Sequence, residues 1–183
     1  MDLLGEEMNN KLKIYTGIGS RNTPEDIGDI MKKLASKLEQ EGWKLRSGGA
    51  GGADSFFEAG VTCINNKQIY IPWKSFGGLT HSIVVPGDYK TKAEQIASEI
   101  HPAWNKCSRG AKALHTRNVC QVLGADLQTP SKFLVCWAES SGDSIKGGTR
   151  TAWEIAKMHN IPCFNLKNEL DYVRLMSYME NYE

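Results

Sequence analysis

Three short segments carry glycine at a density that invites anion chemistry: Gly17-Ile18-Gly19-Ser20-Arg21, Ser47 through Asp54 (SGGAGGAD), and Gly147-Gly148-Thr149-Arg150-Thr151. Within them Gly17, Gly19, Gly48, Gly49, Gly51, Gly147 and Gly148 let the backbone take positive φ and bring main-chain amides close to a phosphate. Ser20, Arg21, Ser47, Thr149, Arg150 and Thr151 add hydroxyl and guanidinium donors. One such loop alone is a tight turn as readily as a ligand cradle; three in one chain point to a phosphate or ribose site. The chain has neither GxxxxGK[ST] nor a complete GxGxxG, which argues against a Walker-type ATPase and an ordinary dinucleotide dehydrogenase.

Several side chains around these loops have two readings. Asp54, closing the second loop, either binds a ribose hydroxyl or caps its helix. Arg117 stands in HTRNVCQ with Gln121 one turn further along the same face and by itself reads as a solvated helix arginine. Glu154 by itself fits a capping box begun at Thr151. Ser20 and Arg21 are phosphate contacts or surface-loop residues. Trp73 and Trp104 fall in irregular segments where an indole can stack on a base, although core packing is the commoner fate of tryptophan. The basic run Lys106, Arg109, Lys112 and Arg117 fits a solvated helix face at least as well as a nucleic-acid patch. His81, His101, His115 and His159 show no metal-ligand spacing, so no metal is predicted, and no cofactor is expected.

Short apolar runs alternate with amphipathic ones, the pattern of a parallel α/β sheet. Strands are expected at 13–17, 43–46, 68–71, 132–137 and 161–164. Helices are expected at 24–41, from SGGAGGAD to about 63, and at 92–100, 109–123, 151–159 and 169–179. Thr23 is the expected N-cap of the first helix, with Pro24 at its first position. The stretch 72–89 and the loop AESSGDSIKGGT read as irregular. The fold class is therefore α/β: a doubly wound, mostly parallel Rossmann-like sheet of about five strands with helices on both faces. Ligands of such sheets bind where strand carboxyl ends meet helix N-termini, which is where the three glycine loops fall.

Composition narrows the classes. With 183 residues, 40% hydrophobic and 23% charged, the chain suits one folded domain over 1–183, with residues 1–11 expected to be flexible. The net charge of +1 disfavours a nucleic-acid partner and favours a small nucleotide or nucleotide derivative. Five scattered cysteines without a CxxC pair fit reduced thiols, and neither a signal-peptide run nor an apolar stretch of about 18 residues occurs. No membrane partner and a cytoplasmic location are expected.

GIGSR after the first strand, SGGAGGAD after the second and the late GGTRTAWE together resemble the SLOG superfamily, over roughly Ile14 to Phe164. That group includes the LOG phosphoribohydrolases, once described as lysine decarboxylases, and the Rossmann part of the DNA-processing protein A family. The LOG signature is PGGxGTxxE with an arginine on an earlier helix. Gly147, Gly148, Thr151 and Glu154 stand in matching places, Lys146 replaces the proline, Arg150 replaces a glycine, and Arg117 is similar to the helix arginine. Arg150 would either fill the pocket or read a further phosphate. The resemblance implies cleavage of the N-glycosidic bond of a nucleoside 5′-monophosphate, with Glu154 and Arg117 catalytic, in a homo-oligomer. Two alternatives stay open: binding without turnover of an ADP-ribose-like signal, and single-stranded DNA binding of the DNA-processing protein A type. Fold-level kinship does not choose among them.

Overall fold

The run KFLVCW shows how the chain builds its centre: Phe133 and Val135 pack into one apolar layer, Leu134 and Cys136 into the other, all fully buried. A strand covered on both faces reads as a continuous apolar run, and its neighbours in a parallel sheet follow the same rule. The computed structural model describes residues 12–78, 83–84 and 87–181. The expectation that residues 1–11 are flexible lies outside the described residues.

Six parallel strands form the sheet: β1 (Ile14–Gly17), β2 (Lys44–Ser47), β3 (Lys67–Ile71), β4 (Ile83–Val84), β5 (Leu134–Cys136) and β8 (Cys163–Asn165). They lie in the order β4-β3-β2-β1-β5-β8. The count exceeds the expected five because the stretch read as irregular contributes the two-residue β4 at the edge. In the same way, the loop after β5 folds into an antiparallel hairpin, β6 (Ser140–Ser141) with β7 (Ser144–Ile145).

Helices α1 (Glu25–Gln40), α2 (Ala53–Ala59) and α6 (Glu169–Glu180) cover one face. There Met31, Leu34, Leu38, Phe57 and Leu175 meet Tyr15, Leu45 and Phe133. Helices α3 (Gly87–Ile100), α4 (Arg109–Leu123) and α5 (Arg150–Met158) cover the other, through Ala93, Ala97, Val119, Val122 and Ile155. Each buried aliphatic side chain contributes roughly 1.5–3 kcal/mol, so the two layers hold the sheet from both sides.

Two helix ends depart from expectation for visible reasons. Thr23 does not cap α1; its hydroxyl donates to the Ser20 carbonyl at 2.7 Å, and Pro24 takes the cap position. Helix α2 stops at Ala59, short of Cys63: the Gly60 and Val61 amides turn back to Phe57 O and Glu58 O, each at 3.1 Å, and the Glu39 carboxylate takes the two amides that follow. The N–H groups of Thr62 and Cys63 each donate to it at 2.9 Å. These bonds hold the Glu39 carboxyl down at about 2.

From β1 the chain winds outward through β2 and β3 to β4, then crosses to the other side of β1 to form β5 and β8. The winding direction therefore reverses between β1 and β5. Open α/β sheets bind ligands in the crevice outside the strand carboxyl ends at such a point.

Candidate functional site

The loop after β1 is fastened to the ends of both neighbours. Ile18 N–H donates to Val135 O at 3.1 Å and Ser20 N–H to Trp137 O at 2.9 Å, while Ala53 N–H, opening α2, donates to Ser20 O at 3.1 Å. Only glycine fits at position 19, since a Cβ there would stand 2.7 Å from Trp137 O and 2.8 Å from the Ala53 methyl. The crevice so framed is a cavity of about 460 Å³. Gly19, Ser20 and Arg21 line it from β1, Ala50 and Asp54 from β2, Glu139 from β5, and Lys146 through Thr149 from the turn before α5.

The remaining wall is α4, whose residues Thr116 to Leu123 are all buried. Burying polar side chains in a helix costs free energy unless they are paired, so polar residues here mark a site. Arg117 Nη1 donates to Gly48 O and, at 3.3 Å, to Tyr70 O. Its guanidinium lies 5.8 Å from the Phe76 ring centre. Asn118 Nδ2 donates to Gly148 O at 2.5 Å and so ties α4 to the turn before α5. Among the described residues, the buried atoms Arg117 Nε, Gln121 Oε1 and Ser47 Oγ have no hydrogen-bond partner. A methyl at Gly48 would collide with Gln121 Nε2, Arg117 Nη1 and, at 2.7 Å, Asp54 Oδ2. The second glycine loop thus passes close under three polar side chains.

Asp54 is buried in this crevice. Burial pushes its carboxyl up to about 6, against the pull of Arg117 and of the Ala50 amide, which donates to Oδ2 at 3.3 Å. Arg117 is pushed below its ordinary value by burial, with Asp54 holding it up. The Glu139 carboxylate is engaged by Lys167. Around the crevice this leaves Arg21, Lys146 and Arg117 as cations facing one partly neutral carboxyl, an arrangement suited to an anion.

The fold brings together most, not all, of the residues singled out in the sequence. Gly19, Ser20, Arg21, Asp54, Arg117, Gln121, Gly147, Gly148 and Thr149 share the crevice, with Ser47 and Gly48 directly beneath. Gly17 serves the core instead: a Cβ there would meet the Phe57 ring at 2.7 Å. Gly49 supplies a turn at φ +67°, and Gly51 has open space around it.

Glu154 and Arg150 lie elsewhere. They line a separate cleft of about 360 Å³ with Glu99 and His159, and the Glu154 carboxylate accepts the Ser144 hydroxyl. Helix α5 begins at Arg150 with Thr149 as cap, so Glu154 falls about one and a half turns in, on the side away from the crevice. No capping box forms either, and Thr151 Oγ1 instead shares a hydrogen bond with His115 Nδ1 at 2.9 Å. Arg117 and Glu154 therefore do not meet over one ligand.

Three further features escaped the sequence reading. Asn118 and Lys146 join the crevice, and the first of these was signalled by its place between Arg117 and Gln121 on the same helix. Phe76 packs edge-on against the exposed Trp73, ring centres 5.3 Å apart, a partner the sequence reading did not give that indole. Finally, although sequence spacing argues against a metal, His101, Cys107 and His115 come together with donor atoms all within 4.8 Å of one another.

No family model matches the chain, and no curated protein matches it in sequence. A solved structure does match: DNA processing protein A from Helicobacter pylori, described by its single-stranded DNA binding mode. The match has a TM-score of 0.53 and 17% identity, covering 93% of this chain and 75% of that one. The chain has the Rossmann-like α/β fold of that protein. The finding overturns the expectation that a near-neutral charge disfavours nucleic acid, because a protein of this fold is described by how it binds single-stranded DNA. Among the described residues no helix is long and apolar enough to cross a membrane.

Proposed function

We propose that this chain binds single-stranded DNA, with a backbone phosphate in the crevice between β1 and β5 and a base against the Phe76–Trp73 pair. The observation that carries this reading is a chain of contacts. Arg117 lines the crevice, its guanidinium meets the Phe76 ring, and Phe76 meets the exposed Trp73. Proteins that hold single strands combine a cationic groove with aromatic platforms for the bases. The charge argument from composition fails locally, because Lys167 engages Glu139 and burial partly neutralises Asp54, leaving Arg21, Lys146 and Arg117 in excess.

A second reading is a nucleoside monophosphate cleaved at its N-glycosidic bond. Asp54, a carboxyl at about 6 inside the crevice, favours it as the group near the anomeric carbon, in place of Glu154.

Fluorescence anisotropy with labelled oligothymidylate tests both, with a nucleoside 5′-monophosphate as competitor and chromatography for free base. The expected result is salt-sensitive oligonucleotide binding and no released base. Replacing both Arg21 and Lys146 with alanine should lower the slope of log affinity against log salt by about 1.4. Binding untouched by that double change would overturn the proposal. Base release by the wild-type chain that Asp54→Asn abolishes and Glu154→Ala retains would put the second reading in its place.

A further inference from the structure

We propose that His101, Cys107 and His115 form a binding site for a divalent transition-metal ion, zinc being the ion their donors suit. His101 follows α3, its N–H bonded to Ala97 O at 2.9 Å. Cys107 ends the single turn Trp104–Lys106, just before Ser108 caps α4, and His115 lies on α4 itself. A connection of only eight residues between two packed helices thus folds two ligands back over the third. Sequence spacing alone hides this, because the ligands come from a helix end, a turn and a helix face.

The geometry fits. Cys107 Sγ lies 3.7 Å and 3.8 Å from the two ring nitrogens of His101. A tetrahedral zinc with ordinary Zn–S and Zn–N bonds sets an S···N edge of about 3.6 Å. The two imidazoles, 4.4 Å between centres, are tilted by 56° and so do not stack.

His115 Nδ1 pairs with the Thr151 hydroxyl at 2.9 Å; with Nδ1–H donating, that bond orients the ring and leaves Nε2 for the metal. His101 Nδ1 accepts the Ala103 amide at 3.2 Å and so carries the lone pair of that ring, which makes Nδ1 the nitrogen that would exchange the amide for the ion. Thiolate with two imidazoles is a donor set for zinc rather than for magnesium or calcium. Three protein ligands leave a fourth position for water, reached past the partly exposed His101 and Cys107.

The ion would also brace the crevice. Only Arg150 separates Thr151 from the Gly147–Thr149 wall, and Thr151 bonds His115, so a metal on His115 would hold α4, α5 and that wall in register.

Cobalt(II) reads the site optically. The full chain, freed of metal by chelator dialysis, is titrated with cobalt and then with zinc. The expected result is one equivalent bound, with a thiolate-to-cobalt charge-transfer band that zinc removes, unchanged in Cys63→Ser and absent in Cys107→Ser. His101→Gln and His115→Gln should each weaken zinc binding about tenfold or more, with far-ultraviolet dichroism unchanged, and zinc should raise the melting temperature of the wild type and of Cys63→Ser but not of Cys107→Ser. The absence of a thiolate band in the wild type, or a band that survives Cys107→Ser, would overturn the proposal.

Discussion

Two buried arginines serve the same helix in opposite ways. Arg46, on β2, reaches the carboxyl end of α4, where Nη1 donates to Val122 O at 3.3 Å and Thr129 O at 2.5 Å while Nε donates to Gln68 Oε1 at 2.8 Å. A cation is favourable at a helix carboxyl end, and every one of these donors has an acceptor supplied by the fold. Arg117 projects from the middle of α4 into the crevice, where its Nε is buried without a partner beside Gln121 Oε1 and Ser47 Oγ in the same condition. Burial lowers the pKa of both. Residue type and depth are alike; what differs is whether the protein itself completes the hydrogen bonding. A buried polar group left incomplete is costly to stability and is retained where a ligand completes it.

That contrast breaks or holds under substitution. Arg46→Met should cost about 3 kcal/mol in urea denaturation, since it strands three acceptors, while oligonucleotide affinity per folded molecule stays unchanged. Arg117→Met should cost only about 1 kcal/mol yet lower oligonucleotide affinity about tenfold or more. Equal stability losses, or an affinity loss confined to Arg46, would dissolve the distinction.

Asp54 sharpens the comparison through pH. Its folded pKa of about 6 stands above the ordinary 3.8, so the native state holds the proton more tightly than the unfolded chain. Relative to Asp54→Asn, the wild type should therefore lose roughly 2–3 kcal/mol as pH rises from 4 to 7, with no further change above. The smaller companion effect is on binding. Ionised Asp54 repels phosphate, so oligonucleotide affinity should fall a few-fold as pH rises through about 6 and stay flat in Asp54→Asn.

The sheet was readable because KFLVCW and the strand-loop-helix alternation each carry their own local signal. What was lost depended on partners distant in sequence. Helix α2 does not continue to Cys63, because Glu39, more than twenty residues earlier, takes the amides of Thr62 and Cys63. The glycine loops around Gly19 and Gly148 were readable as turns, and the fold brings both to one crevice. Glu154 was misplaced because the LOG-like motif fixes its spacing from Gly148 but not the starting phase of α5. The metal-ligand trio was invisible for a related reason: turn geometry at Trp104–Lys106, not spacing, brings Cys107 to the two histidines.

Backbone amide chemical shifts, followed while single-stranded oligothymidylate is added, bear on the binding crevice itself. The amides of Gly19, Ser20, Ala50, Gly148 and Thr149 should move as one set along a single saturation curve, together with the Trp73 indole. If those signals stay fixed while shifts gather elsewhere, for instance around the exposed Leu170 and Val173 of α6, the crevice does not hold the strand.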